Sequence, residues 1–306
     1  MQVIDQYHGK NFSIYNGDTA EVIKQIPDSS IHYQIFSPPF ASLYTYSNSD
    51  RDLGNCKTKS EFYEHYKFII QEQFRIQMPG RNLSFHCMNL PTSKERDGYI
   101  GIEDFRGELI RLYQDAGFIY HSEVTIWKDP VTAMQRTKAL GLLHKQIKKD
   151  SCMSRQGIPD YLVTMRKPGE NPERVTHTNE SFPVSKWQQY ASPAWDIYGS
   201  PLWWDINQSK TLNKVEAREE QDERHICPLQ LDVIERAIEL WTNENDIVFT
   251  PFLGIGSEVY QSLKMKRRGI GIELKPSYFK QAVEFCKGVE SEGEQFTLDG
   301  LIGAET

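Results

Sequence analysis

The sequence predicts an α/β sheet protein. Short apolar, β-prone runs alternate with amphipathic helical stretches along the 306 residues. Two turns after strands carry chemistry-bearing residues, Ser37-Pro38-Pro39-Phe40 and Phe252-Leu253-Gly254-Ile255-Gly256-Ser257. Composition fits: 39% hydrophobic and 25% charged residues argue against disorder and against a membrane protein.

In chain order, Phe12–Tyr15 reads as a strand, and Asp18 opens a helix reaching Ile26. Ile31–Phe36 is apolar and β-prone, and Pro38 and Pro39 end it. Ser60–Gln77 reads as a helix closed by Pro79-Gly80, and Asn82–Met88 as the next strand. Asp104–Ala116 is a helix stopped by Gly117, followed by a strand over Phe118–Trp127. Asp160–Arg166 is a further strand. The last third runs helix (Leu229–Trp241), strand (Ile247–Phe249), glycine turn, helix (Glu258–Lys266), strand (Gly269–Ile272) and helix (Ser277–Lys287). Met134–Gln156 is basic and poorly patterned, Pro168–Trp204 reads as loop-built surface, and the acidic stretch after Gly288 as a loose tail.

The net charge of −7 speaks against a nucleic-acid binder, but its distribution does not. Asp205–Asp246 carries eleven acids against five bases, and Glu284–Thr306 six against one. Val131–Pro168 reverses the sign, with eight bases against two acids. The five cysteines, Cys56, Cys87, Cys152, Cys227 and Cys286, are scattered and never in a C-x-x-C pair. That predicts a reducing, cytoplasmic setting without a disulfide framework or zinc site. The eight histidines form no ligand-spaced cluster, so no metal is expected. Met1–Lys10 lacks a secretory h-region, and no apolar run is long enough to span a membrane.

Gly254 and Gly256 allow a ligand to approach the backbone where a helix N-terminus offers N–H donors. Glu273, seventeen residues beyond Gly256, can accept both hydroxyls of a ribose. The third glycine of the dinucleotide fingerprint is missing, which weakens a nicotinamide reading. The plain alternative is a tight strand–helix turn with a surface acid. In Ser37-Pro38-Pro39-Phe40, the Ser37 hydroxyl and the Pro38 carbonyl are two fixed acceptors able to grip an –NH2 group. Phe40 can stack on a planar ring. The plain alternative here is a strand terminator beside a core phenylalanine.

Taken together and in order, these segments resemble a known family. Asn16-Gly17-Asp18, Ser37-Pro38-Pro39-Phe40, His225-Ile226-Cys227-Pro228-Leu229, Thr250 to Ser257 and Gly269-Ile270-Gly271-Ile272-Glu273 are similar to motifs of the bacterial and phage DNA amino-methyltransferases. The arrangement resembled is the one in which the catalytic tetrapeptide precedes the cofactor motifs. The resemblance runs roughly from Phe12 to Phe285 and implies a Rossmann-like S-adenosylmethionine-dependent methyltransferase sheet in circularly permuted motif order. It implies one catalytic domain over residues 1–290, with 131–158 and 168–224 as candidate DNA-contacting insertions and 291–306 as an acidic tail.

The resemblance further implies methyl transfer from S-adenosylmethionine to N6 of adenine or N4 of cytosine in a base flipped from duplex DNA. Ser37, Pro38, Pro39 and Phe40 would form the catalytic site. Asp18 would contact the adenine end of the cofactor. Thr250, Phe252, Gly254, Gly256 and Ser257 would line its methionine end, and Glu273 would take its ribose. Arg136, Lys138, Lys145, Lys148, Lys149 and Arg155 become phosphate contacts, against the plain reading of a solvated basic surface. No zinc finger or helix-turn-helix is recognisable, so short or relaxed specificity is expected. A monomer and a homodimer are both compatible with the sequence. Two positions depart from the family pattern: Thr250 stands where Asp is usual, and Cys227 near the usual Lys-Pro. A nicotinamide-dependent oxidoreductase and an inactive DNA-binding homologue are the alternatives.

Overall fold

A computed structural model describes residues 3–40, 53–56, 58–129, 148–153, 157–191, 202–212 and 228–302. The chain begins with strands β1 (Asp5–His8) and β2 (Phe12–Asn16), helix α1 (Thr19–Val22) and strand β3 (Tyr33–Phe36). Helix α2 (Lys59–Ile76) and strand β4 (Asn82–Met88) follow. Then come β5 (Leu90–Pro91), α3 (Lys94–Asp97), β6 (Ile102–Glu103) and α4 (Phe105–Asp115). Next are β7 (Ile119–Ile126), β8 (Asp160–Arg166), α5 (Val184–Ala191) and β9 (Leu202–Trp203). The chain continues through α6 (Leu231–Trp241), β10 (Ile247–Thr250), α7 (Ser257–Lys264), β11 (Arg268–Glu273) and α8 (Pro276–Ile302).

Among the described residues, nine strands form one mixed sheet in the order β1-β2-β11-β10-β3-β4-β8-β7-β9. The five strands from β2 to β4 are parallel, and β8 runs antiparallel to both β4 and β7. The carboxyl ends of β2, β11, β10, β3 and β4 therefore share one edge with the amino end of β8. In such sheets ligands bind beyond the carboxyl ends of the strands.

Alternation along each strand makes the two layers. On β3, Tyr33 and Ile35 pack with Val233, Ile234 and Ile238 of α6. Phe36 faces the other way, with Phe62, Tyr66 and Ile70 of α2 and Phe105 and Leu109 of α4. Leu83, Phe85 and Cys87 of β4 join that second layer. Phe12 and Ile14 of β2 pack on Phe279, Val283 and Cys286 of α8. Each such side chain, taken from water to full burial, contributes ~1.5–3 kcal/mol.

A buried polar chain crosses the layer between β3 and α2. Gln34 Nε2 donates to Gln77 Oε1 (2.8 Å), Gln73 Nε2 to Gln34 Oε1 (3.1 Å) and Tyr113 Oη to Gln73 Oε1 (2.8 Å). Tyr113 Oη also lies 2.9 Å from Tyr66 Oη. These groups are fully buried, and each is satisfied by the next.

Two expectations change, and one strand was not foreseen. Helix α8 does not stop at Lys287 but continues to Ile302, through residues expected to form a loose tail. Gly288 and Gly293 lower helix propensity there, yet no proline interrupts the run. The stretch read as irregular surface contains α5 and the buried Trp203 of β9, whose Nε1 donates to the Tyr190 carbonyl at 3.0 Å. Edge strand β1 went unread because its sequence, Asp-Gln-Tyr-His, is polar.

Candidate active site

Glu273 organises one half of the edge. Its Oε2 accepts the Gly254 N–H at 2.7 Å, and its Oε1 accepts the Lys275 N–H at 2.8 Å. Its carbonyl accepts the Gly17 N–H (2.9 Å) and Asn16 Nδ2 (2.8 Å). One residue thus ties the ends of β11, β10 and β2 together. Thr19 adds a buried bond, Oγ1 to the Pro251 carbonyl at 2.6 Å. Asp18, half-buried, caps α1 through the Ala20 N–H at 3.0 Å.

Both glycines of the turn are left-handed, Gly254 at φ +55° and Gly256 at φ +98°. Their reasons differ. A Cβ at Gly256 would sit 2.9 Å from the Ala282 Cβ, so packing on α8 requires glycine there. A Cβ at Gly254 would meet nothing within 4 Å, so the backbone faces open space on that side. Ser257 is buried at the first turn of α7. Thr250 is fully buried, and its Oγ1 has no hydrogen-bond partner among the described residues.

Glu258, next to Ser257, was not singled out from sequence. Burial, with a smaller contribution from the neighbouring Glu273 charge, pushes its carboxyl up to about 8 against the opposing pull of its own backbone N–H.

Ser37 stands one residue beyond β3, half-buried, with Pro38 buried behind it. Its Oγ lies 3.1 Å from Nδ1 of His86 on β4. His86 Nε2 lies 3.0 Å from Asp160 Oδ2 at the start of β8. Lys128 Nζ lies 2.5 Å from the other oxygen, Asp160 Oδ1. Sequence reading gave these three residues no role in the site because each lies on a different element and only the sheet pairing brings them together. Phe40 is half-buried, its ring 6.2 Å from that of Phe105. Phe252 rests on the same aromatic layer, 6.0 Å from both Phe36 and Tyr66.

Of the residues expected to meet DNA, Arg136, Lys138, Lys145 and Arg155 lie outside the described residues, and Lys148 and Lys149 are exposed. Within the stretch 168–224, Glu173 docks at the opposite edge of the sheet, 3.0 Å from His32 Nε2. Lys186 and Tyr190 of α5 both hold Glu239 of α6. His32, Glu173 and Asp246 bring their ligand-type atoms within 4.8 Å of one another. This donor set does not fit a metal. His32 Nδ1 accepts the Ile247 N–H at 3.1 Å, which puts the ring hydrogen on Nε2, facing the two acids. Arg81 already pairs with Asp246 and donates to the Glu173 and His32 carbonyls. The cluster is a clamp across the amino ends of β3 and β10.

Comparison with known proteins adds the family. A model of N6/N4 methyltransferases, described as DNA methylase, matches residues 31–284. The chain belongs to the DNA methylase family. This membership replaces the nicotinamide oxidoreductase alternative. The DNA methylase described here is 22% identical to the type II methyltransferase M.BglII of Bacillus subtilis, over 92% of this chain and 71% of that protein. It is 21% identical to the type II methyltransferase M.MjaI of Methanocaldococcus jannaschii, over 94% and 96%. Its fold matches that of a putative DNA modification methylase of Thermus thermophilus, solved with S-adenosyl-L-methionine (TM-score 0.64, 21% identity, 90% of this chain and 93% of that one). It also matches PvuII DNA methyltransferase, a cytosine-N4-specific enzyme (TM-score 0.62, 15% identity, 91% and 87%). The mixed sheet is thus the Rossmann-like sheet of S-adenosylmethionine-dependent DNA methyltransferases, as expected.

Proposed function

We propose that this DNA methylase transfers a methyl group from S-adenosylmethionine to the exocyclic amino group, N6 of adenine or N4 of cytosine, of a base flipped out of duplex DNA. The observation that carries the proposal is a juxtaposition. Ser37-Pro38 follows β3, the Gly254 turn follows β10, and these are adjacent parallel strands, ~4.8 Å apart.

The residues present fit the cofactor. Gly254 leaves its side of the turn open, Thr250 holds an unpartnered buried hydroxyl, and Glu273 offers a carboxylate at the end of β11. Glu273 holds the ribose and Asp18 the adenine end. Thr250, Phe252, Gly254, Gly256 and Ser257 hold the methionine end. When bound, S-adenosylmethionine supplies a sulfonium methyl whose bond to sulfur breaks, the pair staying on sulfur, as the amino nitrogen's lone pair forms the new bond.

The chain's own residues prepare that nitrogen. Ser37 Oγ and the Pro38 carbonyl accept its two hydrogens, which aims its lone pair and offsets the positive charge developing on it. Phe40 stacks on the base, whose extrusion from the duplex costs a few kcal/mol. Lys148 and Lys149, with Arg136, Lys138, Lys145 and Arg155, neutralise phosphates.

The test offers methyl-labelled S-adenosylmethionine with unmethylated duplex DNA, with RNA, or with no acceptor, followed by nucleoside mass spectrometry. Label in DNA as N6-methyladenine or N4-methylcytosine is expected, and the product identifies the base. Label confined to RNA, or none in DNA, overturns the proposal.

A further inference from the structure

Ser37 is the head of a chain of four residues drawn from four segments: Ser37 after β3, His86 on β4, Asp160 opening β8 and Lys128 after β7. One arrangement of hydrogens leaves Ser37 Oγ free to accept. Asp160 is 1% exposed. Burial opposes its ionisation, but His86 and Lys128 outweigh burial and hold its carboxyl below the usual carboxylate range. An ionised carboxylate only accepts, so His86 Nε2 carries the ring hydrogen. With that hydrogen on Nε2 and Lys128 on the other carboxylate oxygen, the ring is held as the tautomer in which Nδ1 is a bare acceptor. The Ser37 hydroxyl then donates to Nδ1, and both lone pairs of Oγ are left for another donor.

We propose that His86, oriented by Asp160 and Lys128, is a positioning residue for Ser37: it takes up the hydroxyl hydrogen, frees both Oγ lone pairs for the substrate amino group, and drains the proton that group must lose. This rests on the reading that Ser37 grips the amino group. After methylation the nitrogen carries one hydrogen too many. That proton moves to Ser37 Oγ as the Ser37 hydrogen moves to His86 Nδ1, and the nitrogen keeps the electron pair of the broken N–H bond. His86 becomes an imidazolium against Asp160, a Ser-His-Asp geometry put to use without a nucleophilic serine. The imidazolium discharges to solvent before the next turnover. The titratable groups around the ring are Asp160 and Lys128, with Cys87 beside it on β4, whose thiol burial and the Asp160 charge push up.

Two measurements test the inference. In the first, turnover on unmethylated duplex DNA and cofactor affinity are followed in S37A, H86F, H86N and S37A/H86F. H86F is expected to lose ~100-fold or more in kcat with cofactor affinity unchanged. H86N keeps an acceptor but cannot take the proton, and falls between H86F and the wild type. The double variant is expected to be no slower than S37A alone, because His86 acts through Ser37. Additive losses in the double variant, or wild-type turnover in H86F, overturn the proposal.

The second measurement needs no activity. Nitrogen NMR of histidine-labelled protein is expected to show His86 as the Nε2–H tautomer, with an Nδ1 signal that moves in S37A. An Nδ1–H tautomer, or an Nδ1 signal indifferent to S37A, overturns the His86–Ser37 relation. If the wild type methylates no DNA, the proposed function falls, while the NMR result still decides that relation.

Discussion

Glu273 Oε2 accepts the Gly254 N–H at 2.7 Å, so the acid ending β11 holds the shape of the turn that follows β10. The same carboxylate is proposed to take the ribose, so it shapes the site and binds in it. Replacing it with Ala removes an acceptor of two backbone N–H groups and leaves a left-handed glycine untethered. Cofactor affinity, measured by calorimetry, is expected to fall at least tenfold, or about 1.4 kcal/mol. Unchanged affinity would remove Glu273 from the site.

Ser37→Ala combined with Phe40→Ala separates chemistry from cofactor binding. Losing a preorganised polar group aimed at developing charge costs ~100- to 1,000-fold in rate. The double variant is expected to transfer no detectable methyl while cofactor affinity stays at the wild-type value. Full activity would dissolve the catalytic assignment.

Glu258 makes stability fall with rising pH. Its folded pKa of about 8 lies above that of an unfolded glutamate, so the folded chain holds the extra proton between the two values. Stability present below the unfolded pKa is therefore lost as pH rises toward about 8, by at most about 1.4 kcal/mol per pH unit. Glu258→Gln is expected to flatten this slope, so that its stability relative to the wild type is higher at pH 8 than at pH 5, as read by urea titrations. Parallel pH profiles for the two proteins would contradict the assignment.

Gln73 joins Gln34 on β3 to Tyr113 on α4. Gln73→Leu strands the Gln34 carbonyl oxygen and takes one partner from the Tyr113 hydroxyl, all without access to water. A loss of about 1–3 kcal/mol in denaturant titrations is expected. A neutral substitution would mean that water reaches the network.

Lys148 and Lys149 are exposed cations in the basic stretch. Changing both to Glu is expected to weaken binding to duplex DNA of any sequence and to reduce the slope of log affinity against log salt by about 2. An unchanged slope would leave them as solvated surface.

What the sequence reveals and what it hides follow from where the determinants lie. Ser37-Pro38-Pro39-Phe40 and Gly254-Ile255-Gly256 stand out because special backbone demands allow few residue types there. The tie between Glu273 and Gly254 follows from the parallel register of neighbouring strands, so the closeness of these two residues was readable. His86, Asp160 and Lys128 were not. A histidine between Phe85 and Cys87, an acid opening a strand and a lysine after a tryptophan each look ordinary, and only the pairing β4-β8-β7 brings them together. Asp18 was legible as a helix start, where its carboxylate is found capping α1. The length of α8 was misjudged because acidity was taken for looseness.

Asn16 and Glu273 are 257 positions apart yet close the same strand pair. During synthesis, β2 and β3 leave the ribosome long before β10 and β11, the strands that must lie between them. The early segments therefore wait, with their apolar faces unpaired, until the last parallel strand emerges. Closing so long a loop is entropically slow, and waiting strand edges are open to wrong partners. Completion of the sheet thus waits for β11, and until it emerges the unpaired edges of β2 and β3 are open to aggregation.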